Sequence, residues 1–356
     1  NRTVIMVERG GSSAEKPNRN VRFTSRVYDG IHNGISFGYG GTGALWGGQL
    51  LPMLKSELSI LGAPWDTAAF GEELLNNYKI IQSWVGVTSS SFSEPLLKQV
   101  RHEAQQLNWG DFTPLFSKWI PFRLRNLGSA WSAVLRKTGQ VRVLLNLQPI
   151  NWDLSNTGAE QKIEGVLCRS RNGRSVKVLA THFVIAAGAL DSPPVLEQIL
   201  GQINATKLGV GEMLHDHLSL RIAEIMNCRH IEFERLFSPF FERETMRSLR
   251  LCLPDAIDHQ GGLPNWAYCH FVIEAPDSCG FAVARDFLRG LQAKDHASVF
   301  KAFLRVPSAL GDIFRMIWMR YIKQKLSISK GSRVFINVDF VQSPNAKNRI
   351  KFIAGK

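Results

Sequence analysis

Between residues 34 and 48 the chain reads Gly-Ile-Ser-Phe-Gly-Tyr-Gly-Gly-Thr-Gly-Ala-Leu-Trp-Gly-Gly, seven glycines in fifteen positions, where average usage is about 7%. Residues without a Cβ reach positive φ and let the backbone press close to a neighbour. Successive amide N–H groups in such a turn form a cradle for anionic oxygen. A flexible linker would be polar and serine-rich, whereas this segment carries Phe37, Tyr39, Leu45 and Trp46. It reads as a loop that faces a ligand.

Upstream, Thr3-Val-Ile-Met-Val7 is a short, continuous apolar run of the kind expected of a parallel strand covered on both faces. It ends in Glu8-Arg-Gly-Gly11. In dinucleotide folds an acid closing the second strand hydrogen-bonds the adenosine ribose, about 20 residues beyond a glycine fingerprint. Counting back from Glu8 runs off the start of the chain. Taken alone, the run also fits an ordinary strand ending in a turn.

Further along, residues 56–130 read as a mainly helical and irregular excursion, its tryptophans at 65, 84, 109 and 119 serving as packing. Strands are expected at 140–145, 162–168 and 176–182, the last two joined through the turn signal Asn172-Gly173. Phe183-Val-Ile-Ala-Ala-Gly188 reads as a second buried strand whose small residues would lie under a cofactor. Strands at Trp266–Glu274 and Arg333–Val341 follow, with a helix over Phe281–Leu291 whose apolar positions 281, 284, 288 and 291 share a face.

Composition narrows the function classes. A chain of 356 residues buries roughly 75% of its unfolded surface, enough for one large or two packed domains. No window holds the 18 or so apolar residues of a spanning helix. The net charge of +13 raises nucleic-acid binding, but the bases are scattered and no nucleic-acid partner is expected. Their densest run, Arg315, Arg320, Lys323, Lys325, Lys330 and Arg333, interleaves with Ile313, Phe314, Ile317, Trp318 and Tyr321 at helical spacing. The expectation is an apolar side in the core and a solvated basic side, with a membrane surface as the alternative. Cys168, Cys228, Cys252, Cys269 and Cys279 form no C-x-x-C pair, so free thiols and no metal centre are expected. H-x-x-x-H does not occur, which removes support for metal catalysis; G-x-S-x-G occurs once, as Gly34-Ile-Ser-Phe-Gly38 inside the glycine-rich loop, and serine hydrolysis is not expected. No targeting signal is readable at Asn1, so the compartment is open.

In order along the chain stand V-I-M-V-E, G-G-T-G-A-L-W-G-G, V-R-V-L-L-N-L-Q-P, V-I-A-A-G-A-L-D-S-P-P-V-L and V-G-E-M-L-H-D-H. With these five segments the sequence resembles the glucose–methanol–choline (GMC) FAD-dependent oxidoreductases over most of residues 1–220. The resemblance implies an α/β and α+β fold, with an incomplete FAD/NAD(P)-binding Rossmann-like domain (1–55 and 131–220), the excursion 56–130, and a substrate domain of antiparallel sheet plus helices (221–356). It makes Glu8 the ribose-binding acid and Gly40, Gly41, Thr42 and Gly43 the loop that passes pyrophosphate and flavin. Trp46 stands where many members have Asn. Pro149 matches the position whose backbone meets the adenine, and lacks an N–H to offer. Ala187 and Gly188 match the strand end under the cofactor, and Asp216-His217 a pair near the flavin, with His217 behind the reacting groups and His215 at the surface.

Glu197 departs from the apolar pair of the family's second signature, and Trp46-Gly47-Gly48 resembles bacterial branches. The implied reaction passes a carbinol hydride from an alcohol or sugar to flavin N5, with an unspecified electron acceptor and a C-terminal histidine as base. That histidine is expected beyond Lys356, so no catalytic residue is assigned in this chain. A chain lacking its first strand and last helix is expected to be poorly stable and to bind FAD weakly. Another flavoprotein of the same nucleotide fold and a cofactor-free remnant or basic binding module are the alternatives.

Overall fold

A computed structural model describes residues 3–15, 34–52, 67–93, 107–157, 160–227, 229–252, 267–293, 296–341 and 345–350. Trp65, Cys228, Trp266, the 351–353 end of the strand-like run beginning at Arg349, and the side chains of Leu288 and Leu291 lie outside what is described. In chain order the first elements are β1 (Val4–Val7), β2 (Gln49–Leu50), α1 (Thr67–Trp84), β3 (Thr113–Trp119), α2 (Leu127–Thr138) and β4 (Val141–Leu144). Then come β5 (Leu147–Thr157), β6 (Glu160–Ser170), β7 (Ser175–Leu179), α3 (Gly188–Leu200), α4 (Gln202–Lys207) and β8 (His217–Glu224). The last are α5 (His230–Phe237), β9 (Phe240–Glu242), β10 (Thr245–Cys252), β11 (Ala267–Glu274), α6 (Gly280–Ala293), α7 (His296–Tyr321) and β12 (Arg333–Val341). The chain divides into two compact units, residues 1–47, 122–215 and 343–356 in the first and residues 48–121 and 216–342 in the second.

In the first unit β1 runs parallel to β4, from Val4 opposite Val141 to Val7 opposite Leu144. Among the described residues no third strand joins them, and Val4 and Ile5 are exposed, so β1 is not covered on both faces. α2 opens on the N-cap Asn126, whose side chain accepts from Ser129 N, and closes on Gly139 at φ 62°. That left-handed residue turns the chain into β4. β5, β6 and β7 form the expected meander, which turns at Gly173 with φ 83° and extends back through β5. Its buried side, built from Leu147, Trp152, Val166, Cys168 and Val178, packs on Ile199 of α3.

Residues 183–187 carry no strand pairing, contrary to expectation. Phe183 and Ile185 lean on that core while Val184 is 86% exposed. An all-apolar run suggests enclosure on both sides, but here only alternate side chains find a core to enter.

The second unit is built on a seven-stranded sheet with main order β2-β3-β10-β11-β12-β8, β9 pairing with β10. β3 was not expected inside 56–130; it pairs with β10 over seven residues. Five of its positions are buried in succession, including Ser117 and Lys118, so it lacks the polar alternation that marks a one-sided strand. The core on one face gathers Phe116, Leu249 and Phe240, and beside it Phe233, Phe237 and Phe271 stack with centroids 5.0–5.1 Å apart. Ring pairs of this kind add about 1 kcal/mol each to the area they bury.

α6 and α7 meet through small residues, Ala282 and Val283 against Ala302 and Ala309, all buried. A Cβ on Gly280 would stand 2.8 Å from Ile313 N. Phe281 is turned out, and so are Phe314, Ile317, Trp318 and Tyr321 of α7. The expectation that the apolar side of the basic run faces the core is overturned: the small side of the helix takes the contact. No helix among the described residues is long and apolar enough to cross a membrane.

Candidate functional site

β1 ends at Glu8, and backbone bonds on both sides fix it: Glu8 N donates to Leu144 O at 2.9 Å and Leu147 N donates to Glu8 O at 2.9 Å. Its carboxylate turns onto the glycine-rich segment. Oε1 accepts from Gly10 N at 2.7 Å and from Gly38 N at 2.8 Å. Phe37 and Glu15 exchange both backbone bonds, and Tyr39 N donates to Gly11 O. The approach leaves no room for side chains. A Cβ on Gly10 would lie 2.1 Å from Gly38 N, and one on Gly38, at φ 107°, would lie 2.0 Å from Ser13 O.

Beyond Gly38 the loop rests on the start of α2. Gly40, at φ 104°, precedes a short 3-10 turn over Gly41–Ala44. A Cβ on Gly128 would stand 2.5 Å from Tyr39 O. Trp46 donates from Nε1 to Arg125 O at 2.7 Å, which fixes its indole to the residues preceding α2. Around Gly41, at φ 52°, nothing would meet a Cβ within 4 Å, and Thr42 is exposed.

The remaining expected residues lie on other elements. Pro149 is in β5 opposite Cys168, two residues past Leu147 and its bond to Glu8. A bulge follows at Pro149/Asn151, where proline gives the ladder no donor. Ala187 and Gly188 form the exposed start of α3, Gly188 at φ 80° with open space where a Cβ would be. A helix start presents unpaired N–H groups and the positive end of its dipole. A shallow depression beside it is lined by Ala189, Pro193, Gly211, Met213, His215 and Ile350. His215 is exposed, its Nδ1 2.9 Å from Met213 O. Asp216, also exposed, opens the second unit, and the backbone of His217 pairs with Val341 at the edge of β8 while its side chain lies outside what is described.

The structure thus brings Glu8, the glycine loop and the β5 start together, while no hydrogen bond joins Ala187 or Gly188 to them among the described residues. These residues fit a dinucleotide. Glu8 Oε2 accepts no hydrogen bond among the described residues, so it is available to a ribose hydroxyl. Gly41 and Gly188 offer backbone unobstructed by side chains.

A second polar group, not foreseen from the sequence, sits on one face of the sheet in the second unit. His270 on β11 stands opposite Asn337 on β12. Continuing the β10–β11 register by one residue places Arg250 opposite His270. Arg250 Nη2 donates to Gln49 Oε1 at 2.6 Å. His270 Nδ1 lies 3.1 Å from Asp339 Oδ2, close enough for an ion pair but not aligned as a hydrogen bond. Burial pulls Arg250 down to about 10, with the Asp339 charge opposing it. Burial pushes Asp339 up, but contacts with His270 and Ser219 and the nearby cations outweigh it and hold the carboxyl below its ordinary range. Three further buried atoms in this row make no hydrogen bond among the described residues: Gln49 Nε2, Arg250 Nε and Asn337 Oδ1. The signal for the row was polar residues at alternate positions of two otherwise apolar strands, His270 in β11 and Asn337 and Asp339 in β12.

No curated protein matches the chain at a significant level. Residues 124–219, from just before α2 into β8, match the family model described as GMC oxidoreductase, whose N-terminal domain is the FAD-binding domain. The match includes Pro149, Ala187, Gly188, Asp216 and His217 and leaves Glu8 and the glycine loop to its N-terminal side. Over this segment the chain is similar to the GMC oxidoreductases, and the match supports FAD as the cofactor.

Proposed function

We propose that the protein acts on CH–OH groups, oxidising an alcohol or sugar with FAD. The observation that carries this reading is the carboxylate of Glu8 gripped by the amides of Gly10 and Gly38 at the edge of the glycine-rich loop, in a chain that carries the family's FAD-binding segment. When bound, FAD supplies the acceptor for the carbinol hydride. The chain's own residues bind and orient. Glu8 Oε1 holds the loop through charge-assisted bonds, and Oε2 would accept from the ribose hydroxyls. The backbone of Gly41 to Gly43 would hold the pyrophosphate, and the start of α3 would add N–H donors and a favourable dipole for anionic oxygen.

The test is flavin binding, followed by reduction. FAD titrated into the wild-type chain at equilibrium is expected to bind, read as a shift of the flavin absorbance band. Glu8→Ala should weaken binding about tenfold or more, the cost of a lost hydrogen bond to a charged group. Anaerobic addition of an alcohol or sugar to the FAD-loaded chain should bleach the band. A wild-type chain that binds no flavin would overturn the reading.

A further inference from the structure

The observation that remains unused is the outward face of α7. Phe300, Phe303, Leu304, Phe314, Trp318 and Tyr321 are 48% to 69% exposed. At about 3.6 residues per turn they fall, with Leu310 and Ile317, within one arc of roughly 140°. The opposite arc holds Ala302 and Ala309, buried against α6. The helix is thus docked by its small residues and presents its large ones to solvent. At 26 residues the element is roughly 39 Å long, and soluble monomers rarely leave an apolar face of that extent uncovered.

Charge decides what covers it. From His296 to Arg333 the sequence has eight Lys and Arg against one acid, Asp312, a net +7 of the chain's +13. That acid faces inward, accepting from Gly280 N at 2.7 Å and Ser329 Oγ at 2.8 Å. Arg305 and Arg315 are answered by Asp286 and Glu234, while Lys301 beside the stripe and Lys323 just past the helix end are exposed. A second copy meeting this face about a two-fold axis would set like charge against like charge. An anionic bilayer surface matches both properties: acyl chains take the apolar arc and headgroups meet the cations. Trp318 and Tyr321, near the C-terminal end, are the side chains that favour the headgroup level.

We propose that α7 lies in the plane of an anionic lipid surface, docking the protein through its aromatic stripe. The inference is independent of the cofactor reading. Its test is flotation of the full chain with phosphatidylcholine vesicles with and without phosphatidylglycerol. The chain should float with the anionic vesicles and not the neutral ones, and less so as salt is raised. Phe303→Ser, Phe314→Ser and Trp318→Ser combined should lower partitioning about a hundredfold with only a small change in melting temperature, because these side chains are about half or more exposed. Lys301→Glu with Lys323→Glu, which keeps the stripe, should also weaken flotation on anionic vesicles. Absence of flotation in the wild-type chain overturns the proposal. So does a dimer in light scattering that the serine variant dissociates while neither chain floats, since the stripe would then be covered by a second copy.

Discussion

Lys118 on β3 and Arg247 on β10 stand directly opposite each other, and both side chains are fully withdrawn from solvent. A single carboxylate answers them: Glu242 Oε2 lies 2.7 Å from Arg247 Nη1 and accepts from Ser90 and Thr88. Lys118 gives its protons to Gln82 Oε1 and Thr88 O instead, with Nζ 4.2 Å from the centre of the Phe92 ring. Burial, and then the charge of Arg247, pull Lys118 down to about 8, with Glu242 pulling the other way.

The first prediction follows from that lysine. Its folded pKa lies below the ordinary 10.5, so the unfolded chain binds more protons between the two values and stability rises with pH across that window. Wild type should gain on Lys118→Met between about pH 8 and pH 10.5, by up to about 3 kcal/mol. Urea unfolding of both proteins at neutral and alkaline pH measures it. A difference that does not change with pH would mean that the fold leaves the proton affinity of Lys118 as it is in the unfolded chain.

Glu242→Gln should be costly because it leaves two buried cations without a counter-charge. About 3 kcal/mol is expected, the low part of the range for a broken buried pair, because the Glu242 side chain is 30% exposed. Burial pushes this carboxyl up, but hydrogen bonds from Ser90, Thr88 and Arg247 outweigh it and hold it below its ordinary value. Its contribution is therefore present above the unfolded carboxylate range and lost as pH falls through the folded value. Denaturant titrations should find wild type and variant converging in acid.

Gly38→Ala and Gly173→Ala separate crowding from backbone strain. Both glycines have positive φ, but alanine at 38 would put Cβ 2.0 Å from Ser13 O, while at 173 it meets nothing within 4 Å. Gly173→Ala should cost about 1 kcal/mol. Gly38→Ala should cost about 3 kcal/mol or more and break the Glu8 grip on the loop. Thermal melts of the two variants side by side test the difference.

The same distinction explains how far the sequence could be read. β1, β4, the hairpin at Gly173, β11 and β12 were legible because their residues pattern locally and the turn between β6 and β7 needs its glycine. Glu8 and the glycine loop were legible as partners because an acid after a strand and a run without Cβ atoms imply close backbone approach. β3 was not, since both its faces are covered and its interior includes Lys118, which only a distant arginine and loop explain. Phe314, Ile317, Trp318 and Tyr321 were legible as one side of a helix, but periodicity tells which residues share a side and not what that side meets. Arg250, His270 and Asn337 come together only through strand register, which no local pattern encodes.

Asn126 links the loop to a helix start, and its removal should be felt there. Its side chain caps α2 at Ser129 N, 3.1 Å away, and a Cβ on Gly40 would touch it at 2.7 Å. Asn126→Ala should cost about 1 kcal/mol, while Asn126→Asp should hold or gain stability by setting negative charge at the helix N-terminus. Chemical denaturation of both variants checks the sign.

The chain passes between its two units four times, at residues 47–48, 121–122, 215–216 and 342–343. On the ribosome this imposes a waiting time. Thr113–Trp119 emerges with a lysine meant for the interior and has no β10 beside it until residues 245–252 have been made. For more than a hundred residues of synthesis the nascent polypeptide holds an unpaired sticky edge. Dependence on chaperones and on elongation rate during production is thus built into the order of the segments, whatever the final stability.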